Sequence, residues 1–245
     1  MSVRILLFLL IALLIVQGVS VGADYGVVTT EQLKALLEAK RDSILIDART
    51  PEEYEQAHIP GAVNIHEKNL DCGLLQLPSD RKAPLVIYCN GIKCGKSAKM
   101  AQRIEAAGYE NISIYREGIP VWEERNLPLK TGPEYGKKIA ATIIKPEDLK
   151  KIVDTKDPAY VIVDVREQNE YAEGHIPGAL NIPAERFAVQ SEVLPKDKNI
   201  VVYCNSGSRS YLAYRKLIQL AYPNRYQAIL ADWKDAGLPL QQGLR

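Results

Sequence analysis

An excess of charge of either sign is missing from this sequence. Its 245 residues carry 31 Lys and Arg against 30 Asp and Glu. No basic surplus exists to neutralise phosphates, which argues against a nucleic-acid partner. Histidine is scarce, with three in the chain, and none stands at ligand spacing from another, so no metal or other cofactor is expected. Cysteine is scarce as well: Cys72, Cys89, Cys94 and Cys204 are too few for a disulfide scaffold. The chain is long enough to bury proper cores without one. With 16 Gly and 14 Pro, a fibrous or low-complexity reading fails. At 47% apolar and 25% charged residues, the composition is that of a globular protein of one large or two small domains.

The N-terminus reads separately. Arg4 precedes an unbroken apolar run from Ile5 to Val16, followed by small and polar residues to Ala23. That is the layout of a secretory signal peptide with a cleavage site at Val21-Gly22-Ala23. The run is shorter than the ~20 residues a spanning helix needs. Residues 1–23 are expected to be a signal peptide, placing the protein in the periplasm or outside the cell. The alternative is an uncleaved membrane anchor.

The rest of the chain repeats itself. Asp47-Ala48-Arg49 and His58-Ile59-Pro60-Gly61-Ala62 return as Asp164-Val165-Arg166 and His175-Ile176-Pro177-Gly178-Ala179, both 117 residues on. Tyr88-Cys89-Asn90 returns as Tyr203-Cys204-Asn205, 115 residues on, and Trp122 returns as Trp233, 111 residues on. The features keep their order while loops shorten, so this is a duplicated domain rather than a solenoid of roughly 20–50-residue repeats. Domain 1 is expected over 24–129, a linker over 130–138 and domain 2 over 139–245.

Within copy one, the pattern predicts a helix from Glu31 to Ala39 capped by Thr30, and strands at Ser43–Ile46, Leu85–Tyr88 and Ile112–Tyr115. It also predicts helices at Pro51–Gln56 and Lys96–Ala107, the latter ended by Gly108, and a last helix carrying Trp122. Copy two predicts a helix from Pro146 to Val153, strands at Tyr160–Val163 and Asn199–Tyr203, and a helix from Ser210 to Leu220. Continuous apolar strands alternating with helices imply an α/β fold, each copy a mainly parallel sheet with helices on both faces.

Ligands of such sheets bind beyond the carboxyl ends of the strands. Cys204 stands there, followed by Asn205-Ser206-Gly207-Ser208 and then Arg209 at a helix start. A short loop ahead of a helix points N–H groups inward and makes an anion-receptive bowl. The same groups, with the Arg209 charge, favour a thiolate, so Cys204 is the candidate nucleophile.

These segments, with Gly237-Leu238-Pro239 after Trp233, resemble the rhodanese (thiosulfate sulfurtransferase) family in its tandem two-domain form. The resemblance implies a catalytic Cys204 that accepts a sulfane sulfur as a persulfide, with residues 205–209 cradling the anion. It implies thiosulfate or a polysulfide as donor and cyanide, a thiol or a protein as acceptor. The Asp–Arg pairs, His58, His175 and the two tryptophans read as structural.

Copy one departs from this pattern. Six residues, Asn90 to Gly95, separate Cys89 from Lys96, against four between Cys204 and Arg209. Lys96 keeps the charge but lacks the fork of Arg. Three readings stand for Cys89: a secondary nucleophile, a member of a Cys89–Cys94 disulfide or resolving pair, or part of a non-catalytic copy that shapes the other. Copy two departs elsewhere, with Ala228-Ile229-Leu230-Ala231 where copy one has Glu117-Gly118-Ile119, so that turn must be built differently. Cysteine phosphatases and arsenate reductases set five residues between Cys and Arg, and neither loop has five. A non-enzymatic sulfur carrier or binding module needs the same thiolate as an enzyme, and only turnover separates the two.

Overall fold

The computed structural model describes residues 25–39 and 43–243. The expected signal segment 1–23 lies outside the described residues. Copy one runs β1 (Gly26–Val28), α1 (Thr30–Glu38), β2 (Ile44–Asp47), α2 (Pro51–Gln56), β3 (Ala57–His58), β4 (Val63–Asn64), α3 (Leu70–Leu74), β5 (Leu85–Tyr88), α4 (Lys96–Ala106), β6 (Ile112–Tyr115), α5 (Gly118–Glu124) and β7 (Lys130–Thr131). Copy two runs α6 (Pro146–Thr155), β8 (Tyr160–Asp164), α7 (Gln168–Glu173), β9 (Leu180–Asn181), α8 (Phe187–Gln190), β10 (Asn199–Cys204), α9 (Ser208–Gln219), β11 (Arg225–Ile229) and α10 (Leu230–Asp235). Among the described residues no helix is long and apolar enough to cross a membrane.

Copy one forms a parallel sheet in the order β1-β6-β5-β2-β4, and copy two one in the order β11-β10-β8-β9. A parallel bridge from Ile143 to Gln227 stands where β1 stands in copy one. Each central strand is buried on both faces, which is why Leu85–Tyr88 and Ile200–Tyr203 are continuously apolar. One face of the copy-two sheet packs Val163, Ile200 and Val202 against Ala213 and Leu217 of α9. The other packs Ile162, Val201 and Tyr203 against Leu149 and Trp233. Copy one repeats both layers around Met100 and Ile104, and around Leu33 and Trp122. Each tryptophan N–H is satisfied by a proline carbonyl, Pro128 or Pro239.

The first helix is capped one residue earlier than the sequence reading placed it. Thr29 is the cap, because Gln32 three residues on completes a reciprocal capping box. Thr30 is buried instead, its hydroxyl 2.8 Å from the Tyr115 hydroxyl. The first two residues of the expected linker, Lys130 and Thr131, are strand β7 and pair antiparallel with β3. The helix expected from Ser210 begins at Ser208, behind Gly207 at φ +97°, so Arg209 lies within its first turn.

The Asp–Arg motif closes each sheet from inside. The Arg166 guanidinium forks onto Asp164 at 2.6–3.1 Å and donates to the Gly174 carbonyl at 2.7 Å. Arg49 repeats this on Asp47 and the Ala57 carbonyl. Both pairs are almost wholly buried, with side-chain exposures of 6% and 0%. Removing one partner leaves a buried charge uncompensated. Asp164→Ala is therefore expected to destabilise copy two by about 3–5 kcal/mol. Urea unfolding followed by Trp233 fluorescence in a Trp122→Phe background measures it, and a loss below about 1 kcal/mol contradicts the role given to the pair.

Candidate active site

β10 delivers Cys204 to the carboxyl edge of the sheet as its last residue. The chain then turns through Asn205, Ser206 and Gly207 into α9. Glycine serves at 207 because the backbone there is left-handed. The turn aims two amides at the thiol: Gly207 N–H at 3.2 Å and Ser210 N–H at 3.3 Å from Sγ. The Cys204 thiol in turn donates to the Ser210 hydroxyl at 3.4 Å. These are N–H groups that the start of a helix leaves without carbonyl partners, and here the sulfur is the acceptor. The thiol itself is buried, 1% exposed, while Asn205, Ser206 and Ser208 around it are exposed.

Gln227 is a participant that the sequence reading missed. Its buried amide donates to the Gly207 carbonyl at 2.7 Å and to the Ser210 hydroxyl at 2.9 Å, locking the loop's shape. The only signal in the sequence was an amide between Tyr226 and Ala228 in the end strand β11. The turn without glycine is indeed built differently. In copy one, Gly118 at φ +69° lets the Ile119 N–H reach the Cys89 carbonyl; a Cβ there would meet that oxygen at 2.5 Å. In copy two, Ile229 is extended and the Ala231 N–H reaches one residue further, to the Asn205 carbonyl.

Arg209, whose charge was expected to favour the thiolate and the anion, is already paired. Its guanidinium forks onto Glu170 at 2.5 and 2.8 Å. Glu170 is the N3 residue of the capping box of α7 and also accepts the Glu167 N–H. The Arg209 hydrogen bonds hold the Glu170 carboxyl down at about 2. Lys96 occupies the same place in copy one: it binds Glu53, 117 residues before Glu170 and likewise at N3 of a capping box. Burial works against the Glu53 charge, but the Thr50 amide, Asn90 and Lys96 outweigh it and lower its pKa. The equivalence of Lys96 and Arg209 thus rests on a shared partner, with the extra two residues accommodated before it.

That longer loop carries a different thiol arrangement. The Cys89 thiol donates to the Ser97 hydroxyl at 3.4 Å, as Cys204 does to Ser210. Cys94 folds back beside it, with Sγ 3.7 Å from Asn90 Oδ1. All four cysteines are free. The disulfide considered for Cys89 and Cys94 is not formed in this structure. The neighbouring Cys89 thiol lowers the Cys94 pKa against the opposing effect of burial, helped by the Lys96 and Asn90 amides. The Cys94 thiol and burial push Cys89 up. Copy two closes over this loop: Asn90 donates to the Gln219 carbonyl at 2.8 Å, and Lys93 to the Leu194 carbonyl at 2.8 Å. Cys72 is exposed and far from either arrangement in the chain's motifs.

His58 and His175 hold turns. Each ring stacks on a tyrosine four residues earlier at 3.7 Å and sets Nδ1 on that residue's carbonyl.

Comparison with known proteins decides the family. A family description, the rhodanese-like domain, matches residues 29–125 and again 145–235. The chain belongs to the rhodanese-like domain family. Its rhodanese-like copies are similar to a sulfurtransferase of Allochromatium vinosum, 39% identical over 93 residues, which is 37% of this chain and 84% of that protein. They are also similar to the thiosulfate:glutathione sulfurtransferase of Saccharomyces cerevisiae, 35% identical over 106 residues, covering 37% of this chain and 76% of that one. Across both rhodanese-like copies, the chain is 24% identical over 245 residues to the 3-mercaptopyruvate sulfurtransferase of Escherichia coli, covering 80% and 87%. Sulfur transfer is the chemistry these relatives share.

Because Arg209 depresses the pKa of Glu170, their pairing stabilises the fold above the ordinary carboxylate range, near 4.5, and that contribution is lost as pH falls toward about 2. Glu170→Gln lacks it at every pH. The stability gap between native chain and Glu170→Gln is expected to be widest above pH 5 and to close on acidification. Urea midpoints across that range check this, and a gap that does not change with pH contradicts it.

Proposed function

We propose that this protein is a sulfurtransferase that carries sulfane sulfur on Cys204 of copy two. The two N–H groups directed at Cys204 Sγ carry the reading. The thiolate attacks the outer sulfur of thiosulfate or the terminal sulfur of a polysulfide. The S–S bond breaks, sulfite or the shortened polysulfide leaves with the electron pair, and a Cys204 persulfide remains. Gly207 and Ser210 N–H face the sulfur throughout, and Gln227 keeps them there. Cyanide, a thiolate or a protein thiol then attacks the outer sulfur and restores the Cys204 thiolate. This is covalent catalysis in two half-reactions, so ping-pong kinetics are expected.

With Arg209 neutralised by Glu170, the anionic end of the donor is met chiefly by the exposed loop Asn205 to Ser208 and the first amides of α9. The buried thiol favours a linear or small donor over a bulky one. The N-terminal pattern supports an exported enzyme, periplasmic or extracellular, or one held at a membrane if the segment stays attached. N-terminal sequencing of the protein recovered from cell fractions tests that placement.

The deciding assay is thiosulfate-to-cyanide transfer by the full chain beside Cys204→Ser and Cys89→Ser. Cys204→Ser is expected to lower kcat/KM by at least about 10³-fold, and Cys89→Ser to leave most of it. Activity surviving Cys204→Ser moves the chemistry to copy one. A single loading of Cys204 without turnover, for either donor, makes the chain a sulfur carrier instead.

A further inference from the structure

The paired thiols of copy one are a nucleophilic cluster that Cys204 chemistry leaves unused. Their surroundings differ from those of Cys204 in a definite way. Around Cys204 the loop residues stand in solvent, whereas Asn90 and Gly91 beside Cys89 are buried under copy two. Asn90 is tied to Gln219, Lys93 is tied to Leu194, and a Cβ on Gly91 would meet Leu220 at 3.3 Å. Cys89 is 1% exposed beneath this cover, and Cys94 is the half-buried member on its solvent side. The turn from Gly91 to Cys94, closed by the Cys94 N–H on the Gly91 carbonyl at 2.9 Å, folds the Cys94 thiol back onto Asn90, the residue next to Cys89, at 3.7 Å from its Oδ1.

A pair of neighbouring thiols, one reachable from solvent and one buried, has an order of action built in. The accessible thiolate attacks, and the buried thiol resolves. The position occupied by the strand-end cysteine in copy two is therefore not the attacking position here.

We infer that copy one is a sulfane reductase site in which Cys94 takes the sulfur and Cys89 expels it as hydrosulfide. The inference rests on the sulfane-sulfur reading above but needs no turnover at Cys204. In the first step Cys94 Sγ attacks the sulfane sulfur of a polysulfide or thiosulfate, and the shortened polysulfide or sulfite leaves with the electron pair. In the second, Cys89 Sγ attacks Cys94 Sγ. The Sγ–S bond breaks, the outer sulfur leaves as HS⁻ with the Cys89 proton, and a Cys89–Cys94 disulfide forms. The sulfane sulfur gains two electrons and the two thiols lose them. An external dithiol reductant reopens the disulfide for the next cycle. The directions of the two shifts, Cys94 lowered and Cys89 raised by burial and its neighbour, agree with this order.

The test uses the full chain with Cys72→Ser and Cys204→Ser, reduced, freed of reductant and given polysulfide. With both thiols present, about one hydrosulfide per chain is expected, together with tryptic peptides 83–93 and 94–96 joined by a disulfide. Cys89→Ser is expected to stop sulfide release and leave an added mass of about 32 Da on peptide 94–96. Cys94→Ser is expected to abolish both loading and release. Alkylation at early times in the chain with both thiols locates the sulfur without relying on either variant's folding. Sulfur on Cys89, sulfide release undiminished by Cys94→Ser, or a pair that takes up no sulfur each overturns the inference. In the unsubstituted chain, sulfur on Cys204 alone overturns it and leaves the copy-two reading standing; sulfur on neither copy overturns both.

Discussion

Each copy buries an aspartate and an arginine two residues apart, and the carboxyl edge of the sheet is assembled on that pair. Taking both charges from water costs several kcal/mol per ion, which only close geometry and further hydrogen bonds offset. The chain supplies both. The Arg166 guanidinium spans Asp164 and the Gly174 carbonyl, and the Arg166 and Asp164 carbonyls accept both protons of the Asn181 amide. The turn between Gly174 and Asn181 is thereby fixed to the end of β8. Tyr203, the residue before Cys204, is bound to the same turn through the Ile176 N–H. The strand bearing the thiol and the strand bearing the ion pair thus share one anchor, and copy one repeats it with Asn64, Tyr88 and Ile59.

On this common frame the two thiols have opposite surroundings. The four residues between Cys204 and Arg209 leave Cys204 with two amides and an open rim. Two more residues in copy one bring in Cys94, and the amides that would serve a lone thiol are shared across a pair. Copy two then covers the longer loop. Loop length, rather than any change in the parallel strands that carry the two cysteines, gives one copy a single thiol faced by amides and the other two neighbouring thiols.

Much of this was readable along the chain because it is local. The buried strands, the repeat, the Asp–Arg spacing and the strand-end position of Cys204 all depend on residues close in sequence. The Thr29 cap was readable too, since Gln32 stands three residues after Thr29 and Thr30 has no such partner. What stayed hidden depends on distant residues. Glu170 claims Arg209 from 39 positions away, Gln227 braces Gly207 across 20, and Asn90 meets Gln219 across 129. No periodicity or turn signal encodes these meetings. They follow from two sheets folding and then docking.

Helix α9 joins the two sites end to end. Its first turn presents the Ser210 amide to Cys204, and its last residue, Gln219, receives Asn90 beside Cys89. Nine residues at about 1.5 Å of rise separate those contacts by about 14 Å along one stiff axis. The helix therefore acts as a ruler. Adding or removing a single residue within it would turn one end by about 100° relative to the other, so both sites could not stay in register. A duplicated gene whose copies share such a ruler is no longer free to lose residues from that helix, even at positions that touch neither sulfur.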